Sequence, residues 1–287
     1  MQGNPFSRAA WKPADFGGRA GLYILLIIVA VLWGAPLMWM IVTSIKPESE
    51  IYAYPPKWWP DAPTVEAYGA LFQRFPMLDW FRNSTVVALI TTLLTLAIDA
   101  LAAYPLARMD FTGRRVIMSV IFATFLLPYE LLFVPLFLGL NNFGLVDSWF
   151  SLSVPASANA FGVFLLTQFF QAVPQELEEA AVLDGCSRLG FFFRILLPLT
   201  KPGLATVAIF TFVASWNNFF WPLIATNSDE TRTLPVGLAT LVGGAGMSMK
   251  QSVLMASSVV ATLPTALFFL VMQRHFVRGI AATGVKG

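Results

Sequence analysis

Four intervals of this chain, residues 20–45, 148–175, 202–228 and 251–273, contain no Asp, Glu, Lys or Arg, and each is long enough to cross a bilayer core as a helix. Two more, 83–107 and 116–140, are interrupted by one acid apiece, Asp99 and Glu130. Lipid offers backbone groups no hydrogen bonds, so segments of this kind cross as helices that satisfy themselves internally. The expected fold class is therefore all-α: one polytopic membrane domain, with six transmembrane helices over about residues 20–45, 84–107, 116–140, 149–171, 203–226 and 251–273. The composition, 57% hydrophobic and 12% charged, carries about half the charge of an ordinary soluble protein. The first run is too long for the apolar region of a cleaved signal peptide and is read as an uncleaved span.

Several function classes are excluded. A net charge of +2 gives no footprint for nucleic acid. The single Cys186 and the single His275 cannot form an intrachain disulfide, a cysteine-based zinc site or a histidine metal pair, and they lie far apart with no partner constellation for an enzyme. The six lysines follow Trp11, Ile45, Pro56, Thr200, Met249 and Val285, so the chain lacks the Gly-Lys pair of a phosphate-cradling nucleotide loop.

The basic residues assign sidedness. The N-terminal tail (residues 1–19), the second and fourth connections and the C-terminal tail (274–287) hold twelve of the 18 Lys and Arg residues, and the alternate side holds six. The positive-inside rule then puts both termini in the cytoplasm. Trp39, Trp58, Trp59, Trp80, Trp149 and Trp221 fall at the expected outer ends of spans, where interfacial anchoring is their ordinary role. The first outer loop, 46–82, is too rich in proline for a long helix. The last outer loop carries Gly243-Gly244-Ala245-Gly246, read as a flexible turn.

Between the fourth and fifth spans lies a different stretch, residues 174–202. Pro174 suits a helix start, Glu176, Glu178 and Glu179 crowd the end where the helix dipole favours acids, and Gly185 stands where a helix would stop. From Ser187 to Ile195, three phenylalanines and two arginines suit an interfacial helix, until Pro198 and Pro202 turn the chain into the fifth span. An amphipathic connector resting on lipid would need more apolar area than Ala180 and Ala181 offer, and an anionic leaflet would repel its glutamates. Small residues on an exposed helix suit close approach by another protein.

Glu179-Ala180-Ala181, Gly185 six residues after that glutamate, Ile195 and Leu197-Pro198 resemble at every position the EAA motif of permease subunits of binding-protein-dependent ABC importers. Ala103-Tyr104-Pro105-Leu106-Ala107-Arg108, Ser215-Trp216-Asn217 and Trp221-Pro222-Leu223 extend the similarity to the carbohydrate-type branch, in particular to the second permease subunit of maltose-type systems. The resemblance implies a type I importer permease fold in a bacterial or archaeal cytoplasmic membrane. It implies four partners besides lipid: a second permease, two ATPase subunits that bind ATP and Mg²⁺, and an extracytoplasmic solute-binding protein. This chain itself would hold no cofactor. The EAA segment would be the cytoplasmic coupling helix: Glu179 paired with a basic residue of the ATPase, Ala180 and Ala181 permitting close approach, and Asp184 and Gly185 at the bend. The Gly243–Gly246 tip and the end of the chain, 285–287, occupy the positions with which relatives reach the binding protein and the ATPase interface.

Intramembrane polar residues are the remaining candidates. Glu130 lies between Pro128 and Pro135, in a helix weakened enough to line a cavity, and Asn217 and Asn218 beside Trp216 combine amides with an aromatic face, as sugars favour. These four form the candidate solute pathway. Asp99 is expected to be a hydrogen-bonded structural acid. The competing function, an ion-coupled secondary transporter, would use Asp99 or Glu130 as its proton or cation site. Which sugar, polyol or glycerol phosphate passes is not encoded in these motifs.

Overall fold

The computed structural model describes residues 16–243 and 249–284, and every regular element among them is helical. The centre is a 32-residue helix, Met77–Arg108. Its buried positions include Ser84, Ala88, Thr91, Thr92, Thr95, Asp99, Ala100 and Ala103, a stripe of small and hydroxylated side chains at helical spacing. Between helices in lipid, small residues supply stability by letting backbones come close. Helices Ala160–Gln171 and Lys201–Trp216 pack against this central helix, and Leu166, Phe170 and Val207 share one core with Ala103 and Tyr104.

Asp99 sits where these three helices meet. It is 0% exposed, its Oδ1 accepts a hydrogen bond from the backbone N–H of Asn159 at 3.4 Å, and its Oδ2 has no partner among the described residues. That oxygen lies against Gly162, with Val207 alongside. Asp99 is thus enclosed at the start of Ala160–Gln171 rather than on a surface.

Around this centre the helices are more broken than charge-free intervals suggest. Among the described residues three helices are long and apolar enough to cross a membrane, or up to five if each strongly bent pair is one span, against six expected. In the third expected span, Arg114–Phe125 and Tyr129–Asn142 meet at 93°. Pro128 disfavours helical backbone at Leu127, and the chain restarts as a short 3-10 turn at Tyr129–Leu132. In the fourth, Trp149–Ser153 and Ala160–Gln171 are separate helices. Each has its own cap: Ser148 accepts from Ser151 N, and Asn159 Oδ1 accepts from Phe161 N at 2.9 Å. Ala160–Gln171 spans about 18 Å at the usual helical rise. In the fifth, Lys201–Trp216 stops at Asn217 and a short helix, Phe220–Ala225, follows. The last helix, Gln251–Gly284, continues without interruption through most of the expected C-terminal tail.

The N-terminal helix Phe16–Ser44 packs along this last helix, and every residue from 20 to 33 is exposed. On the expected outer side, residues 46–82 contain only two short helices ahead of the central one, Glu48–Ile51 and Glu66–Arg74. Glu48 reaches across to the last helix, accepting from Gln251 N at 2.8 Å and from Ser252 N and Oγ at 3.3 and 2.8 Å. Asn83 donates to Glu230 O and Arg232 O at 2.7 and 3.0 Å and accepts from Trp149 Nε1 at 3.2 Å. Asp147, at φ 57, accepts from Asn227 N at 3.1 Å, from Ser228 N at 3.4 Å and from the Thr231 hydroxyl. Residues 227–232 are therefore strapped to the body by two side chains. The glycine tip beyond Gly243 lies outside the described residues, as do 285–287.

Two of the tryptophans read as interfacial anchors are core residues instead. Trp80 lies over Gly237, where a Cβ would collide with its ring, and Trp221 is fully buried, donating from Nε1 to Ser151 O at 2.9 Å. Trp58 and Trp59 are exposed.

Candidate functional site

The EAA helix runs Gln175–Leu183 with Pro174 at its N-cap position and Glu176 and Glu178 in its first turn. It closes with Gly185 N–H on Val182 O at 3.0 Å and Cys186 N–H on Ala181 O at 2.8 Å. That pair of bonds is the Schellman ending, which needs a left-handed residue after the cap. Gly185 supplies it at φ 79. Because nothing lies within 4 Å of a Cβ built there, backbone conformation alone, not crowding, demands the glycine. Ser187 then caps the next short helix, accepting from Gly190 N at 3.1 Å.

Glu179, Ala180, Asp184 and Gly185 are exposed on this helix, and Gln175 Nε2 reaches Glu179 Oε1 at 3.3 Å. Ala181 is not available to a partner. It is 7% exposed, the one buried residue of the helix, and joins the core that holds Tyr104, Phe191 and Phe192. Its small size serves packing within the chain. Sequence reasoning weighted charge and smallness and passed over an apolar pair: Val182 is exposed and Leu183 is 88% exposed. Both line a cleft of about 620 Å³ that Arg114, Glu178 and Glu179 also border. Two adjacent apolar residues left in water at the end of an acidic helix were the available signal.

The phenylalanines after the bend also separate. Phe191 and Phe192 are buried, whereas Phe193 and Leu189 are exposed, so two of the three rings pack inward and only part of the segment's apolar surface faces outward. Phe192–Leu196 is wound as a π-helix, and Arg188–Leu199 then turns 76° into Lys201–Trp216.

The EAA helix is held from behind by the C-terminal end of the central helix. Arg108, with its side chain 6% exposed, stands 3.7 Å from Glu178. It also donates to Phe170 O at 2.6 Å and Val173 O at 2.5 Å, on either side of the end of Ala160–Gln171. Carbonyls at a helix C-terminus lack intrahelical donors and carry the negative end of the dipole, so a guanidinium satisfies both needs. One turn earlier, Tyr104 donates to Arg188 O at 3.2 Å and its ring meets Phe192 at 5.0 Å.

The candidate pathway residues do not form one constellation. Trp216 is 2% exposed, packed between Phe81 and Phe212 with Nε1 on Ala261 O, and is a core residue. Glu130 is exposed in the 3-10 turn. Asn217 is exposed, though its amide donates back to Val213 O at 2.8 Å, and Asn218 is half-buried. The two helix breaks that carry these residues are linked by Phe133 and Trp221, whose rings lie 5.7 Å apart.

Residues 100–282 match the family described as "binding-protein-dependent transport system inner membrane component". The chain is 36% identical to the sulfoquinovosyl glycerol transport system permease protein of Agrobacterium fabrum, covering 95% of each. It is 34% identical to the arabinooligosaccharides transport system permease protein of Bacillus subtilis, covering 94% of this chain and 96% of that one. It is 31% identical to the trehalose transport system permease protein of Mycobacterium tuberculosis, covering 94% and 100%. Its fold matches a chain in the crystal structure of a bacterial ABC transporter involved in import of the acidic polysaccharide alginate, at a TM-score of 0.81 and 24% identity over 93% of this chain and 99% of that one. With a family match that covers the EAA helix and the end of the central helix, and relatives more than 30% identical along nearly the whole chain, the chain belongs to the inner-membrane permease components of binding-protein-dependent transport systems.

Proposed function

We propose that this chain is one of two permease subunits of an ATP-driven importer for a sugar or related polyhydroxy solute. An extracytoplasmic binding protein delivers the solute. Two ATPase subunits, which bind ATP and Mg²⁺, dock on the cytoplasmic side, where both termini of this chain also lie. The observation that carries the reading is the exposed EAA helix, anchored on its Ala181 face and open along Glu179, Ala180, Leu183, Asp184 and Gly185. An acidic helix with a small residue and an apolar end offers a partner one ion pair, close approach and a patch to bury. The sugar class rests on the substrates named for the relatives. Glu130, Asn217 and Asn218, at breaks in the third and fifth spans, are the residues proposed to meet solute, because freed backbone groups and polar side chains inside a membrane belong beside a cavity.

Replacing Gly185 with Val tests the docking role: the chain is expected to insert in the membrane and to lose its ATPase subunits on purification, and full ATP-dependent uptake by that variant would overturn it. Glu179→Lys is expected to weaken the same association by reversing the charge pair. Uptake by reconstituted permeases driven by an ion gradient, with ATPase subunits omitted, would restore the secondary-transporter alternative. The solute class is tested by a binding screen of sugars, polyols and glycerol phosphates against the cognate binding protein.

A further inference from the structure

We infer that Arg108 is the positioning residue through which the EAA helix moves the central helix, an inference that rests on the docking reading above. Arg108 lies outside the EAA motif, yet it ties three elements together at one guanidinium: the end of Met77–Arg108, the end of Ala160–Gln171, and the first turn of the EAA helix through Glu178. The group is nearly sealed from solvent and its Nε has no partner among the described residues. A buried charge left without its counter-charge is strongly unfavourable, so when Glu178 moves Arg108 must follow it.

Tyr104 makes the arrangement directional. Arg108 holds the segment before Gly185 and Tyr104 holds Arg188, just after it. Gly185 is the one residue of 174–202 with positive φ, and its Cβ position opens onto free space, so it is where the two short helices can change their angle. A tilt of the EAA helix about Gly185 changes the separation of Glu178 from Arg188. Two contacts one turn apart on a rigid helix cannot both be kept through that change unless the central helix shifts or rotates. The central helix in turn packs against Ala160–Gln171 and Lys201–Trp216, so its displacement reaches the broken spans that carry Asn217 and Asn218.

The test uses the complete transporter, with Cys186→Ser removing the native thiol and Leu78→Cys placing a reporter at the exposed far end of the central helix. Labelling by a membrane-impermeant maleimide is measured with and without ATP and orthovanadate, which needs no knowledge of the solute. The parent complex is expected to change its labelling rate on nucleotide trapping. Arg108→Gln and Glu178→Gln are expected to retain their ATPase subunits on purification and to lose that change, and Arg108→Lys, which keeps a charge able to reach one carbonyl or Glu178, to recover part of it. A full change in Glu178→Gln with ATPases bound overturns the inference, and this variant decides the matter even where Arg108→Gln does not assemble. Absence of ATPases from the parent complex would instead remove the docking reading, and this inference with it.

Discussion

The unpartnered carboxylate oxygen of Asp99 rests against Gly162, so that a methyl group on Gly162 would occupy the space of Oδ2 and come within 3.0 Å of the Asp99 Cγ. The acid and the glycine are two halves of one helix crossing. Gly162→Ala is expected to lower stability by about 1–3 kcal/mol, the usual cost of overpacking a fitted interior. Adding Asp99→Ala should return part of that loss, giving a non-additive pair in thermal unfolding of the detergent-purified protein. Strict additivity would mean that the crossing is not the source of the effect.

Asp147 makes the outer strap sensitive to acid. Burial pushes its carboxyl up, but hydrogen bonds from Thr231, Asn227 and Ser228 outweigh burial and hold it below the ordinary 3.8. A carboxyl with a depressed folded value adds stability in full above that ordinary value and loses it as pH falls through the lower one. Residues 227–231 should therefore lose hydrogen-exchange protection, taken relative to the intrinsic exchange rate at each pH, on acidification below about pH 4. Asp147→Asn tolerates the same left-handed backbone. It should show weaker protection at neutral pH and no further change across that window.

Glu48 acts as a cap supplied from a distance. Its carboxylate takes the first amides of Gln251–Gly284, so Glu48→Ala should cost about 1 kcal/mol at that helix end, in line with loss of an N-cap. The expected sign is faster hydrogen exchange at Gln251 and Ser252 with the central helix unchanged. Unaltered exchange at both amides would show that water replaces the carboxylate without loss.

Leu183 would supply apolar contact to the docking surface proposed above. Because it is 88% exposed, Leu183→Ser should leave unfolding of the isolated permease within about 0.5 kcal/mol of the parent. The same change should weaken ATPase association by about 1–2 kcal/mol, the value of burying most of one leucine. Equal affinities in a binding titration would remove Leu183 from the contact.

What can be read from residues alone divides along physical lines. The EAA helix is legible because its punctuation is local: Pro174, the glutamates and Gly185 each state a backbone preference within one turn of where it is used. The apolar content of the spans is equally plain. Their continuity is not, because a charge-free interval measures transfer into lipid and says nothing of whether Leu126-Leu127-Pro128 or Val154-Pro155 keeps one helix axis. Arg108 reads as one more positive charge for sidedness, and its acceptors lie 62 and 65 residues further along. Ala181 and Ala180 are identical in sequence, and only the phase of the helix over its core sends one inward and the other out. Trp80 and Trp221 mislead for a related reason: an indole at a span end suits an interface and suits equally a gap opened by Gly237 or the backbone of Ser151.

The outward girth of the N-terminal helix sets a rule for change along the chain. Residues 20–33 fit little of the chain's own interior, so exchanging one apolar side chain there for another disturbs few contacts within the chain. That stretch is the natural address for a spectroscopic label, whereas a single methyl group added to Gly162 or Gly237 collides with Asp99 or with the ring of Trp80.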